Sequence, residues 1–172
     1  MASTLLLLSL AMGMATFAAG EGETKMVFYL RDNLTGSNET AFPVAGLNGS
    51  SSNPGKFGTL IVISDVVTKR PNLIESDSDT IVGRAQGIYV NTNPANGLDF
   101  LMFFTLIFHN IEYSGSTLEI HGTNRFDHSL SEYAVVGGTG KFRFARGYAV
   151  GSTESTSGEN AVLKFNTTFR TD

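Results

Sequence analysis

Apolar and polar residues alternate with a period of two along most of the chain beyond residue 21, the pattern of half-buried β-strands. Met26, Phe28, Leu30 and Asp32 fall on one face of a first strand. Phe57, Thr59, Ile61, Ile63 and Asp65 share a face of a second. VGRAQGIYV at 82–90 reads as the third, 99–113 as the fourth and longest, 117–126 as the fifth, 132–136 as a short sixth and 141–150 as the seventh. In the last, Ala161, Leu163, Phe165, Thr167 and Phe169 point one way; Asn160, Lys164, Asn166, Thr168 and Arg170 point the other. No stretch beyond residue 21 carries the period of an amphipathic helix. Turn-forming residues fill the gaps, in a long Gly/Ser/Asn-rich stretch at 33–54 and shorter ones at 70–79, 92–97, 113–116 and 151–158. Eight strands joined mostly by hairpins predict an all-β fold, an eight-stranded antiparallel β-barrel whose closure removes exposed edges. A β-sandwich is the alternative.

The fourth strand carries a further message. Leu101, Phe103, Thr105 and Ile107 lie on one face; Met102, Phe104, Leu106 and Phe108 lie on the other. An antiparallel strand apolar on both faces is buried on both sides. The barrel interior takes one face, and a partner subunit is the simplest cover for the other, with the 33–54 loop as the alternative cover.

GGTGK at 137–141 has the outline of a phosphate-binding loop but not its parts. Val135 stands where the first glycine is required, and Phe142 stands where Ser or Thr must come after the lysine. Residues 141–150 alternate instead of forming a helix, Phe142, Phe144, Arg146, Tyr148 and Val150 against Lys141, Arg143, Ala145, Gly147 and Ala149. The glycines are therefore read as a hairpin turn. Those of VGRAQGIYV mark a bulge, a bend or a close backbone approach within a strand.

Composition narrows the partners. At 172 residues with a net charge of −4 and no basic block, the chain is read as one domain that does not bind nucleic acid. It has thirteen Phe and no Trp, and no cysteine, so a core without disulfides must hold the fold. Residues 1–20 read as a secretory signal peptide: an apolar run from Leu5 to about Ala19 ends in the small residues Ala18, Ala19 and Gly20, although no Lys or Arg precedes it. The expectation is a secreted, extracellular domain over 21–172, with a membrane anchor as the alternative; no later apolar run is long enough to span a bilayer. Asn33, Asn38, Asn48 and Asn166 each open an N-glycosylation tripeptide. His109, His121 and His128 lack the spacing of a metal site, so no metal is expected. Arg84, Arg143 and Arg146 are read as ion-pair partners of Asp65, Glu112 or Glu119, with binding of an acidic ligand as the alternative. The serines lie in loops without a nucleophile elbow.

FYLRDNLTG (28–36), FGTLIVISDVVT (57–68), VGRAQGIYV (82–90), FTLIF (104–108), EYSGSTLEIHG (112–122) and VVGGTGKFRFARGYA (135–149), in this order and spacing, resemble the dirigent proteins of land plants over about residues 24–169. The resemblance implies a secreted apoplastic (cell-wall) barrel similar to allene oxide cyclase. It also implies a homo-oligomer, a trimer in first place and a dimer in second. It implies no cofactor. A separate laccase or peroxidase makes phenoxy radicals from a monolignol such as coniferyl alcohol. The barrel then holds two of them for stereoselective coupling, in lignan and phenylpropanoid metabolism. Relatives instead act as lyases that close a ring through a quinone methide, as in pterocarpan formation. A third expectation is a non-catalytic phenolic-binding protein in wall lignification or defence. An apolar, aromatic-rich barrel mouth suits planar phenols, holding reactants in one geometry selects a product, and a few acids or phenol hydroxyls can move a proton.

By the same resemblance, Asp32 matches an aspartate held to act in the pocket as the catalytic acid. Without the resemblance, Asp32 equally opens the turn at Asn33, Leu34 and Thr35. Tyr89 matches a pocket tyrosine, and Asn91 stands where lignan-forming members often carry a second one. Asn124 takes the place of their second aspartate and Ser131 that of their arginine. An asparagine there can donate a hydrogen bond but not a proton, and Arg125, Asp127 or His128 are the candidates to compensate. Phe165, on the apolar face of the last strand, joins Tyr89, Asn91 and Asn124 as a substrate-binding candidate.

Overall fold

The computed structural model describes residues 22–49, 53–72 and 80–171; the expected signal peptide at 1–20 lies outside them. The described residues form nine strands: β1 Thr24–Asp32, β2 Ala41–Ala45, β3 Leu60–Thr68, β4 Ile81–Asn91, β5 Asp99–Phe108, β6 Thr117–Arg125, β7 Ser131–Thr139, β8 Arg146–Ser157 and β9 Asn160–Arg170. Every pairing is antiparallel, in the order β1-β9-β8-β7-β6-β5-β4-β3-β2. A further β1–β3 pairing closes the sheet into the expected barrel.

The strand beyond the expected eight is β2. β1 and β2 lie end to end along β3, which pairs with β1 at Val66 to Thr68 and with β2 at Leu60 to Ile63. Between them the chain loops out and returns, with Thr40 N and Ala41 N both donating to Asn33 O (2.9 and 3.1 Å). Pro43 and the turn-rich flanks hide this strand in the sequence, and its bulge between Pro43 and Ala45 is how an edge tolerates proline.

Four boundaries also differ from expectation. The strand expected from residue 141 begins at Arg146, because residues 140–142 form a 3₁₀ turn that buries Phe142 and Phe144 takes φ 64° at the exposed tip. The turn itself is where the glycines put it, with Gly140 at φ 60°. β8 runs on to Ser157 through a Ser/Thr-rich stretch polar on both faces, for which the composition predicts a loop. β5 stops at Phe108, and β3 starts at Leu60 after a turn in which Gly58 has φ 82°. In VGRAQGIYV the glycines serve close approach: a Cβ on Gly87 would come within 2.0 Å of Phe103 O.

Inward side chains form one core, centred on an aromatic cluster. Phe28 stacks on Phe165 (centroids 5.1 Å apart, planes at 11°), and Phe104 and Tyr133 pack against the same Phe165 ring at 5.6 and 5.1 Å. The end of the barrel reached by the 109–116 and 140–145 turns is plugged. There Phe142 meets Phe108, Tyr113 and Phe169 at 5.0 to 5.2 Å. The opposite end, ringed by the turns after β1, β2, β4, β6 and β8, is open.

On the outside, Phe42, Val62, Ile88 and Phe103 are successive cross-strand neighbours and form a half-exposed apolar row over β2 to β5. The row ends on His121, which stacks on Phe103 at 4.2 Å. Among the described residues, the 33–54 segment does not cover it, since Phe103 remains 43 % exposed.

Candidate active site

Register decides what reaches the open end. β1 ends there in Asp32, β4 brings Tyr89, β5 starts there with Phe100 and Met102, β6 brings Asn124, and β9 starts with Asn160, Ala161 and Leu163. Together with Leu34, Pro54, Gly55, Leu98, Phe126 and Glu159 from the turns, these line a cavity of about 250 Å³. Its walls are mostly apolar, and its polar groups converge from few positions, as in small-molecule sites generally.

Asp32 is the buried acid of this cavity, Glu159 being exposed at its rim. Only 9 % of its surface is exposed, and Tyr89 Oη donates to its Oδ1 at 3.4 Å. Burial raises its pKa to about 6, against the opposing effect of that hydrogen bond. A carboxyl titrating there can hold a proton and give it up near neutral pH. Tyr89 is pushed far in the neutral direction, first by its own burial and then by the charge of Asp32, so it acts as a hydrogen-bond donor. Its ring stands edge-on to Phe100 (5.7 Å, 90°), which fixes where the hydroxyl points. Asn124 lines the same cavity, half-buried, on the strand paired with Phe100. It offers an amide that can both donate and accept.

Two other predicted substrate contacts are placed elsewhere. Phe165 is fully buried among Phe28, Phe104 and Tyr133 and does not line the cavity. On β9 it lies four residues below Ala161, the partner of Asp32, roughly 13 Å deeper at strand rise. Asn91 is also fully buried, and its amide ties two rim loops together. Nδ2 donates to Pro54 O (2.9 Å) and Gly97 O (2.7 Å), and Oδ1 accepts from Asn93 N (3.2 Å). Asn91 therefore shapes the rim without lining the cavity. Ser131 likewise serves the backbone, its Oγ accepting from Arg125 N at 2.9 Å. Arg125 at the end of β6 and Asp127 and His128 in the β6–β7 turn are exposed, and none lines the cavity.

The basic residues correct an expectation as well. Arg84 donates to Ser64 O (2.6 Å) and Oγ (3.2 Å) rather than pairing with Asp65. Arg146 donates to Val136 O and Ala145 O. Glu119 accepts from Thr105 and Thr117. His109, His121 and His128 lie in three separate places, and the described residues include no His/Cys/Asp/Glu cluster able to hold a metal ion. Asn38, Asn48 and Asn166 are exposed, whereas Asn33 is partly buried and its Nδ2 donates to Asn38 O at 3.2 Å.

Sequence reasoning misses one buried acid. Asp65 is fully buried on β3, one step past the last β1–β3 pair, Arg31 with Val66, and close enough to Asp32 to feel its charge. The signal is available, since Asp65 continues the inward face of Ile61 and Ile63. Glu159 and Asn160 bring polarity to the rim, although the alternation alone places them at a loop end and on an outward strand position.

Residues 23–169 match the family model for dirigent-like proteins. Pterocarpan synthase 1 of Glycyrrhiza echinata is 40% identical over 147 residues, covering 83% of this chain and 75% of that protein. Dirigent protein 1 of Arabidopsis thaliana is 36% identical over 143 residues, covering 83% of this chain and 76% of that one. The solved structure of the pterocarpan synthase dirigent protein GePTS1 superposes with a TM-score of 0.77 at 34% identity, over 88% of this chain and 86% of that one.

Proposed function

The chain belongs to the dirigent family, and from that premise we propose that it binds a phenolic precursor in the barrel mouth and uses Asp32 to carry it through a quinone methide to a single stereoisomer. The supporting observation is one buried carboxyl, hydrogen-bonded to Tyr89, in an otherwise mostly apolar cavity. A carboxylic acid in that setting can protonate a benzylic hydroxyl. The C–O bond breaks with its electron pair leaving as water, and a protonated quinone methide remains. A second phenol oxygen of the same molecule then adds to the electron-poor carbon and gives its proton to the Asp32 carboxylate. The net change is loss of water, and no oxidant enters. Tyr89 and Asn124 are the groups to orient the phenol oxygens, and the apolar walls exclude the water that would otherwise trap the intermediate.

The cavity volume, about 250 Å³, suits one such molecule better than two, which favours ring closure over bimolecular coupling. The second reading is stereoselective coupling of phenoxy radicals, such as those of coniferyl alcohol, made by a separate laccase or peroxidase. The apolar wall of Phe100, Met102, Phe126 and Leu163 favours it, because it would bind any planar phenol. One experiment separates the two. The protein is incubated with an isoflavanol bearing a pendant phenol and no oxidant, and in parallel with coniferyl alcohol and laccase, and the products are resolved by chiral chromatography. Product in the first tube and a racemate in the second support the lyase. Enantiomeric excess in the second alone supports coupling. No product in the first tube and a racemate in the second would leave a phenolic-binding role.

Secretion, glycosylation and self-association belong to the same proposal. The apolar N-terminal run and the exposed Asn38, Asn48 and Asn166 support a glycosylated apoplastic protein. The apolar row from Phe42 to Phe103 supports a homo-oligomer, a trimer in first place.

A further inference from the structure

Asp65 sits on the inward face of β3 with no exposed surface, and neither carboxyl oxygen has a hydrogen-bond partner of good geometry. Thr40 Oγ1 is near enough to favour its charged form, but that hydroxyl already donates to Arg31 O (3.1 Å) and accepts from Asn33 N (3.2 Å). Arg84 attracts it only at a distance, the guanidinium being engaged with Ser64. Burial, and next to it the charge of Asp32, holds the Asp65 carboxyl well above the ordinary range, so it stays protonated where most carboxyls are ionised. For stability alone, an apolar side chain would serve better here.

Its neighbour supplies a reason to keep it. The β1–β3 ladder runs Tyr29 against Thr68, Leu30 against Val67 and Arg31 against Val66. Carried one step further, that register sets Asp32 opposite Asp65; both are buried, and Asp65 feels the charge of Asp32. Residues so placed have Cβ atoms about 5 Å apart, within reach of a carboxyl–carboxyl hydrogen bond. The other charged or titratable groups around the pair are Tyr89 and Arg84 of β4, and Glu159 of the β8–β9 turn, whose charge reaches Tyr89. β9 presents only Ala161 opposite Asp32, and β4 only Ala85 opposite Asp65.

Resting on the quinone-methide reading, we propose that Asp65 is a positioning residue that acts through Asp32: facing it across β1 and β3, it donates its O–H to the carboxylate that Asp32 becomes on protonating the substrate. The proton that leaves Asp32 departs with the hydroxyl as water. The proton on Asp65 stays, now shared between the two carboxyl groups. When the closing phenol returns a proton to Asp32, the pair again holds two. Asp65 thus steadies the charge that Asp32 acquires while touching no substrate itself, in keeping with its absence from the cavity wall.

Infrared titration of the protonated-carboxyl band in the whole protein reads the pair without any substrate. Wild type should lose one band near pH 6, absent from Asp32→Asn, which assigns it to Asp32. In Asp65→Val, where no donor remains, that titration should move up by about one unit, tenfold in the constant. In Asp65→Asn, whose amide still donates, it should stay within a few tenths. Asp65→Ala repeats the comparison should valine crowd the site. An Asp32 titration unmoved in a folded Val or Ala variant overturns the proposal. Turnover of the isoflavanol adds a second reading: up to about tenfold lower kcat in Asp65→Val, unchanged KM, and recovery in Asp65→Asn. Wild type that shows the infrared shift but turns nothing over would sink the quinone-methide reading and leave the carboxyl pair standing. Turnover with an unmoved band would sink the pair alone.

Discussion

The two ends of this barrel are built from the same strands and do opposite things. At the closed end, four aromatic rings from β5, the 109–116 turn, the 140–142 turn and β9 meet at 5.0 to 5.6 Å, and the small hydroxyls buried there, Ser116 and Thr68, bond backbone groups. At the mouth, the aromatic residues stand back against the wall, and Asp32, Tyr89 and Asn124 converge on space. Inward residues at both ends obey the same alternation. The difference comes from the turns: Phe142 is folded into the closed end by its 3₁₀ turn, whereas Asn91 ties the rim loops to each other around the cavity. One end supplies stability, and the other gives some of it up in buried polar groups.

The largest effect should come from breaking the plug. Phe142→Ala removes a buried ring that touches three others and should cost about 3–5 kcal/mol in chemical unfolding, while the folded fraction keeps its ligand affinity. A parallel loss of affinity would mean the two ends are not independent.

The pH dependence of stability sharpens the contrast from the other side. Asp32 in the folded chain titrates near 6, above its ordinary value of 3.8, so between those values the native state holds a proton that the unfolded chain has lost. Stability should therefore be greatest at mildly acid pH. It should fall as pH rises through that window, by on the order of 3 kcal/mol for Asp32. Asp65 acts with the same sign and extends the fall further. Melting curves from pH 4 to 8 check this, and Asp32→Asn should flatten the lower part of the slope.

The smallest effect concerns the rim. Asn91→Ala frees two loops by removing bonds to Pro54 O and Gly97 O, and should cost about 1–2 kcal/mol while raising KM more than it lowers kcat. An unchanged KM would mean that the rim does not shape the cavity.

The contrast between the ends also marks how far the sequence is legible. A period of two assigns a face, and the inward faces of β1, β3, β5 and β9 can be read residue by residue. It does not assign depth. Phe165 and Asp32 both point inward, yet the β1–β9 register puts one in the core and the other at the mouth. Asn91 is legible as lying next to the pocket, but its clamping role depends on loops 53–58 and 92–98, whose paths no periodicity encodes. The alternation puts Phe142 and Phe144 on one strand face, but the 3₁₀ turn and the positive φ of Phe144 separate them, burying the first ring and exposing the second. Asp32 and Tyr89 stand out by resemblance rather than by pattern. Asp65 is visible on its strand face, but the nearby arginines suggest an ion pair that the structure does not make.

The most direct test of the account is the turnover of the isoflavanol, without oxidant, by wild type and by Asp32→Asn. The account predicts a loss of roughly 10²- to 10⁴-fold in kcat with the fold intact, since the asparagine keeps the shape and cannot give a proton. Equal turnover by the two proteins would contradict it and remove Asp32 from the chemistry.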